Sequence, residues 1–272
     1  QGRTFSGHHY TVWEVAFSPD GKRLASAGGD AVRVWDLRTG AARVLEGHRN
    51  PTYRVAFSPD GRWLASASMA SRNDTGQQDL GVRVWDPDSS SAREFTGHTD
   101  TVSDVAFFRD NLTLASGSMD TTVRLWDLAR GRPERTLEGD GSIVLEIAVS
   151  PDGQWLASGN DGGMTRLWRL STGESRRLKG REPTFYQDSA TLATSGIDGV
   201  ARLWDTSTGE GRVLADAWGN VAISPDGKVV AAMGKRGAVH LWSDDLPRDP
   251  AALKQWLQEA THFTVGTTYP PR

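Results

Sequence analysis

Cysteine is absent from all 272 residues. That excludes disulfides, thiolate metal sites and a thiol nucleophile, and it fits a reducing, cytoplasmic setting. No apolar run approaches the ~18 residues of a membrane-spanning helix, so no membrane partner is expected. Charge is nearly balanced: 31 Lys and Arg against 34 Asp and Glu leave a net of −3. No broad basic surface is implied, which argues against nucleic acid as a partner. Histidine is scarce as well. His9, His240 and His262 have no neighbour at metal-ligand spacing, and no metal or other cofactor is expected. No glycine-rich phosphate loop precedes a helix, and no paired-carboxylate site stands out.

What the chain has is repetition. Tryptophans recur at Trp35, Trp85, Trp126, Trp168, Trp204 and Trp242, with spacings of 50, 41, 42, 36 and 38 residues. These bracket the roughly 40–45 residue period of a four-stranded propeller blade. Trp-Asp recurs at 35–36, 85–86, 126–127 and 204–205, Gly-His at 7–8, 47–48 and 97–98, and SPDG at 18–21, 58–61, 150–153 and 224–227. The clearest unit, LASGSMDTTVRLWD (Leu114 to Asp127), reads as two strands joined by a tight polar turn. With these marks recurring in phase, residues 1–246 resemble the WD-repeat (WD40) β-propeller family, and tracts such as AFSPDGKRLASAGGD resemble those of its bacterial members.

The expected fold is all-β: a six-bladed propeller over 1–246, with repeats at about 1–40, 41–90, 91–131, 132–173, 174–209 and 210–246. Each unit reads as an outer strand d, then a, b and c. The six d segments begin at Arg3, Arg43, Arg93, Arg135, Arg176 and Arg212, and charge on an outer strand reads as edge protection. Arg3–Gly7 is a d segment with no blade before it, and Ala238–Trp242 is a c segment with no d after it. Pairing the two would close the ring and remove the open edges. The chain opens at Gln1 inside a strand motif, which reads as part of a longer protein.

The units are unequal. The fifth lacks SPDG and most of strand a. The second carries a polar insertion, Met69–Leu80, whose Ser71, Arg72, Asn73 and Asp74 read as a partner-contacting loop or a neutral expansion. Residues 247–272 read as a C-terminal helix and tail. Asp249 and Pro250 start the helix, and Leu253, Trp256, Leu257 and Ala260 share one apolar face.

In the resembled family a buried hydrogen-bond chain of His, Ser, Asp and Trp ties each blade together. The matching positions are His8, Ser26, Asp30 and Trp35; His48, Ser66, Asp79 and Trp85; and His98, Ser116, Asp120 and Trp126. A Ser, His and Asp repeated once per blade reads as structure rather than as a catalytic triad, so no catalytic residue is expected. The chain of bonds fades along the sequence. Asp140 and Arg181 stand in the histidine place of units four and five. The resemblance also implies a rim that grips peptides. Its residues here are Trp13, Tyr53, Arg54, Ser103, Asp104, Leu145, Glu146, Tyr186 and Trp218, and exposed aromatics among mixed charge suit a binding hot spot. The expected function is a non-catalytic interaction or sensor scaffold for a protein or peptide, or for neighbouring domains, within a larger bacterial signalling protein. The alternative is an enzyme or small-molecule binder working in the central channel.

Overall fold

The computed structural model describes residues 2–69, 79–214, 221–224, 226–234 and 238–243. All of its regular structure is β. The first sheet is β1 (Val12–Phe17), β2 (Arg23–Gly28), β3 (Val32–Asp36) and β4 (Ala42–Leu45). The second is β5 (Thr52–Phe57), β6 (Leu64–Ser68), β7 (Val82–Trp85) and β8 (Ala92–Phe95). The third is β9 (Val102–Phe107), β10 (Thr113–Ser118), β11 (Thr122–Asp127) and β12 (Arg132–Glu138). The fourth is β13 (Val144–Val149), β14 (Trp155–Asn160), β15 (Met164–Arg169) and β16 (Ser175–Lys179). The fifth is β17 (Arg181–Phe185), β18 (Thr191–Ser195), β19 (Ala201–Asp205) and β20 (Gly211–Leu214). The sixth is β21 (Val221–Ile223), β22 (Val229–Met233) and β23 (Val239–Ser243). Each is an antiparallel meander in chain order, and the first strands β1, β5, β9, β13, β17 and β21 neighbour one another in succession. That arrangement is six blades set around one axis.

Local chemistry sets the meander. In SPDG the Ser18 hydroxyl donates to Asp20 at 2.6 Å and accepts the Arg23 amide at 2.9 Å, while Gly21 takes φ 66°. The same bonds recur around Ser58, Ser150 and Ser224. The Asp of Trp-Asp holds the next turn: Asp36 accepts from the Thr39 amide at 2.6 Å, and Asp205 accepts from Thr208 at 2.8 Å.

The core lies between blades. Ala25, Ala27, Val32, Val34 and Leu45 of blade one pack on Val55, Leu64 and Trp85 of blade two. Ala65, Ala67, Val82, Val84 and Phe95 meet Val102, Val105, Leu114 and Trp126 in the same way, and three further seams repeat the pattern. Small residues on strands b and c leave room for the large ones on the blade that follows. Each fully buried leucine contributes about 1.5–3 kcal/mol.

Three expectations need correcting. Arg3–Gly7 forms no strand and does not pair with β23, and the sixth sheet has three strands among the described residues, so the expected closure is not made. Strand a of the fifth blade is present, as β17. What that blade has lost is the loop before it, since Gly180 alone separates β16 from β17. Finally, three of the six outer-strand arginines clamp blades together rather than guard edges. Arg3, Arg93 and Arg135 each donate at 2.7 Å to a carbonyl of the following blade, those of Leu37, Leu128 and Leu170. The expected helix at 249–260, the insertion residues Ser71, Arg72, Asn73 and Asp74, and Trp218 lie outside the described residues.

Candidate functional site

The inner strands share an irregularity that shapes one end of the axis. In β1, Val12 pairs with Gly28 and Glu14 with Ala27, so Trp13 is an extra residue. Tyr53, Ser103 and Leu145 are skipped in the same way in β5, β9 and β13. A bulge of this kind re-aims side chains. It gathers the bulged residues, and the ones that follow them, at the mouth.

The following residues stitch the blades. Glu14 accepts the Val55 amide at 2.6 Å and the Arg54 guanidinium at 3.1 Å. Arg54 donates onward to the Ser103 carbonyl at 2.8 Å and lies 3.7 Å from the Asp104 carboxylate. Asp104 then accepts the Ile147 amide at 2.8 Å. Burial pushes Asp104 up to about 6, against the pull of Arg54 and the Ile147 amide.

Glu146 breaks the series. Counting from the Thr184–Ala193 pair, Pro183 holds in β17 the place of Val55 in β5 and Ile147 in β13. Proline has no N–H to give. Among the described residues the Glu146 side chain makes no hydrogen bond or ion pair, although its backbone pairs with Gly159 in the sheet. Burial first, then the nearby Glu182 and Asp104 carboxylates, raise it to about 7. Glu182 itself, bulged at φ 56°, is held by the Ser195 hydroxyl.

These groups line a cavity of about 270 Å³. Tyr53, Met69, Met119 and Leu145 supply apolar wall, while Arg54, Glu146, Arg181 and Glu182 supply charge. With Glu14 and Asp104, four carboxylates stand against two guanidiniums. Trp13 sits beside the cavity, its ring 6.4 Å from that of Tyr53, and Arg54 lies 5.2 Å over the Tyr53 ring.

Of the expected rim, Tyr53, Arg54, Ser103, Leu145 and Glu146 line the cavity, and Trp13 and Asp104 adjoin it. Ser103 is buried, with its hydroxyl donating to the Val144 carbonyl at 2.6 Å. Tyr186 is misplaced in the expectation. It follows β17 in the position of Ser58, and its amide donates to the Thr191 carbonyl, so its ring is in the core away from the mouth. Arg181 is the converse case, lining the mouth rather than filling a histidine place. Glu182 and Met119 were not anticipated. The only sequence signal for Glu182 was the loss of the loop before β17.

In blades one to three the His, Ser, Asp and Trp side chains form a chain of hydrogen bonds within each blade. His8 bridges Asp30 at 2.6 Å and Ser26 at 2.7 Å, and Trp35 donates to Ser26 at 2.9 Å. His48 bridges Asp79 at 2.9 Å and Ser66 at 2.7 Å, with Trp85 on Ser66 at 2.7 Å. His98 bridges Asp120 and Ser116 at 2.7 Å, with Trp126 on Ser116 at 2.8 Å. Each carboxylate can only accept, so Nδ1 carries the proton, and Nε2 of the neutral imidazole accepts the serine hydroxyl, whose oxygen accepts from tryptophan. Burial opposes the charge on Asp30, yet the His8 ring and the His9 amide hold it at about 2. The network thins later: Trp168 reaches Ser158 at only 3.4 Å, and Asp140 pairs outward with Arg177 at 3.2 Å.

Six antiparallel meanders around one axis, tied by a His-Ser-Asp-Trp network, define a WD-repeat β-propeller. Residues 8–261 match the family model described as the IFT122 first beta-propeller, and the chain belongs to that family. It is also 58% identical over 38 residues to the Notchless protein homolog of Arabidopsis thaliana, a match covering 14% of this chain and 8% of that protein. Among the described residues no helix is long and apolar enough to cross a membrane.

Proposed function

We propose that this propeller is a non-catalytic protein-interaction scaffold whose mouth takes an extended peptide carrying one basic side chain. The carrying observation is Glu146, a half-buried carboxylate left without a donor by Pro183, inside a cavity with apolar walls. A lysine or arginine entering there would give Glu146 the charge-assisted bond that the Ile147 amide gives Asp104. Trp13 and Tyr53 offer flanking aromatic surface for the rest of the peptide. At about 270 Å³ the cavity falls below the roughly 300–1,000 Å³ typical of small-molecule sites, which favours a side chain over a free metabolite.

The wider setting is part of the same proposal. A cytoplasmic bacterial signalling protein, with the propeller over 1–246 as its interaction module, is supported by the SPDG tracts and the absence of cysteine. Fluorescence anisotropy with short peptides that differ only in a central Lys, Arg, norleucine or Glu tests the site. The basic peptides should bind at least tenfold tighter, about 1.4 kcal/mol, and Glu146→Gln should remove the difference. Equal binding of the norleucine and lysine peptides would sink this reading.

A further inference from the structure

Asp-Gly occurs seven times in the chain. The pair is reactive, because glycine has no Cβ to shield its amide nitrogen from the neighbouring side-chain carboxyl. Six of the seven are held in place. In the four SPDG turns the carboxylate accepts the serine hydroxyl at 2.5–2.6 Å and the amide two residues on at 3.0–3.1 Å. The glycine amide of each donates back to the serine carbonyl at 2.8–2.9 Å. Asp198 is gripped by Arg202 at 2.6 Å and Lys179 at 2.9 Å, and the Gly199 amide donates to the Gly196 carbonyl at 2.9 Å. Asp140 takes the Ser142 amide and the Arg177 guanidinium, each at 3.2 Å. All six glycines sit at φ 66–85°.

Asp161–Gly162, in the turn between β14 and β15, is unlike the rest. Both residues are exposed. Among the described residues the Asp161 side chain makes no hydrogen bond or ion pair, and the Gly162 amide has no acceptor. Gly162 does not have a positive φ, and a Cβ added to it would lie 3.4 Å from Asn160 Oδ1, an ordinary contact. The turn therefore has no need of glycine at this position. What the missing Cβ leaves is an open nucleophile beside a free carboxyl.

We propose that Asp161–Gly162 is a modification site, where the folded propeller converts aspartate to isoaspartate and so loosens one joint of its mouth. The Gly162 nitrogen bonds to Asp161 Cγ, the Cγ–OH bond breaks, and the hydroxyl leaves with the amide proton as water. The five-membered succinimide then takes up water at its main-chain carbonyl. The bond from that carbonyl to nitrogen breaks, the nitrogen recovers a proton, and the chain continues through Cγ. One water leaves and one returns, so no other reactant is needed. The product carries a free α-carboxylate, the group that methyltransferases specific for isoaspartyl residues esterify.

The added main-chain methylene falls inside a tight turn. Asn160 Oδ1 accepts the Met164 amide at 2.9 Å, and the Gly163 amide donates to the Asn160 carbonyl at 3.3 Å. The Gly163 carbonyl in turn accepts the Gly180 amide at 2.9 Å. Gly180 alone joins β16 to β17, whose Arg181 and Glu182 line the mouth. A lengthened turn strains that joint, whatever the mouth binds.

The test ages the folded chain in mildly acidic buffer. Trypsin then releases residues 136–166 as one peptide carrying Asp140, Asp152 and Asp161, and electron-transfer fragmentation locates isoaspartate within it. Conversion at Asp161 should exceed that at the other two by at least about tenfold, since two bonds, each worth a factor of about five, must break first at those sites. In urea the three should converge. Equal conversion in the folded chain, or a preference for Asp161 that persists in urea, overturns the proposal. Gly162→Ala should abolish conversion at Asp161 and leave the melting temperature in place, and undiminished conversion overturns it too. Amide exchange at Gly180 should be faster in the aged parent than in aged Gly162→Ala, and equal exchange overturns the link to the mouth.

Discussion

The Asp104 carboxylate accepts the amide of Ile147 across a blade boundary at 2.8 Å, and the residue that shares Ile147's register position one blade later is Pro183. That substitution frees Glu146. Replacing Pro183 by alanine restores an N–H and should give Glu146 an internal partner. Affinity for a lysine peptide is then expected to fall severalfold with little loss of stability, read by anisotropy alongside thermal melts.

Stability should also depend on pH in a defined direction. The folded state holds Glu146 at about 7 against an ordinary 4.5, and Asp104 at about 6 against 3.8. Between those values the folded chain binds more protons than the unfolded one, so stability falls as pH rises. Their contribution is complete below about 4 and is lost as pH climbs through 6 to 7. Asp30, held at about 2, acts oppositely: its contribution is present above 3.8 and lost as pH falls toward 2. Melting temperature should decline from pH 5 to 8, and Glu146→Gln should flatten that decline. Lysine-peptide affinity should rise over the same interval as Glu146 ionises.

His98→Ala should cost about 1–3 kcal/mol, because it leaves Asp120 and Ser116 inside the blade with a bond unmade. Asp140→Ala, in the equivalent place of blade four, loses an outward pair with the exposed Arg177 and a bond from the Ser142 amide at 3.2 Å, and should cost no more than about 1 kcal/mol. Hydrogen exchange should follow the same gradient. Amides of β14, β15, β22 and β23 are expected to exchange faster than those of β10 and β11, and equal protection would count against the network as the source of rigidity.

Arg93→Ala should cost about 1 kcal/mol through loss of the bond to Leu128. Arg43 occupies the same sequence position but makes no such bond among the described residues, so Arg43→Ala should lie within about 0.5 kcal/mol of the parent. Chemical denaturation of the two variants separates a clamp from an edge guard.

Trp13→Ala with Tyr53→Ala should weaken peptide binding by tenfold or more while moving the melting temperature by only a few degrees, since Trp13 is 41% exposed and neither ring is fully buried. A fall of many degrees would assign the two rings to packing.

Strand order was legible because most blades carry their own punctuation, and one phase then placed Trp13, Tyr53, Ser103 and Leu145 together at the mouth. Where the punctuation fails, so does the reading. The fifth unit lacks Gly-His and SPDG, and without pairing partners its register slid, sending Tyr186 to the rim and Arg181 into a histidine slot. The released carboxylate of Glu146 could not be foreseen, because it depends on a proline one blade away. Ring closure rested on two segments distant in sequence, where no local pattern decides whether they meet. The arginine clamps were missed because a repeated charge on an outer strand looks the same whether it faces water or a neighbour's carbonyl.

The stitching at the mouth runs mainly one way, the bond from Arg54 back to Glu14 excepted. Glu14 reaches forward to Val55, Arg54 to Ser103 and Asp104 to Ile147, and the outer clamps from Arg3, Arg93 and Arg135 point forward too. During synthesis, therefore, each emerging meander finds its docking groups already presented by the one made before it. A nascent chain can harden in the order it leaves the ribosome, without waiting for its final residues.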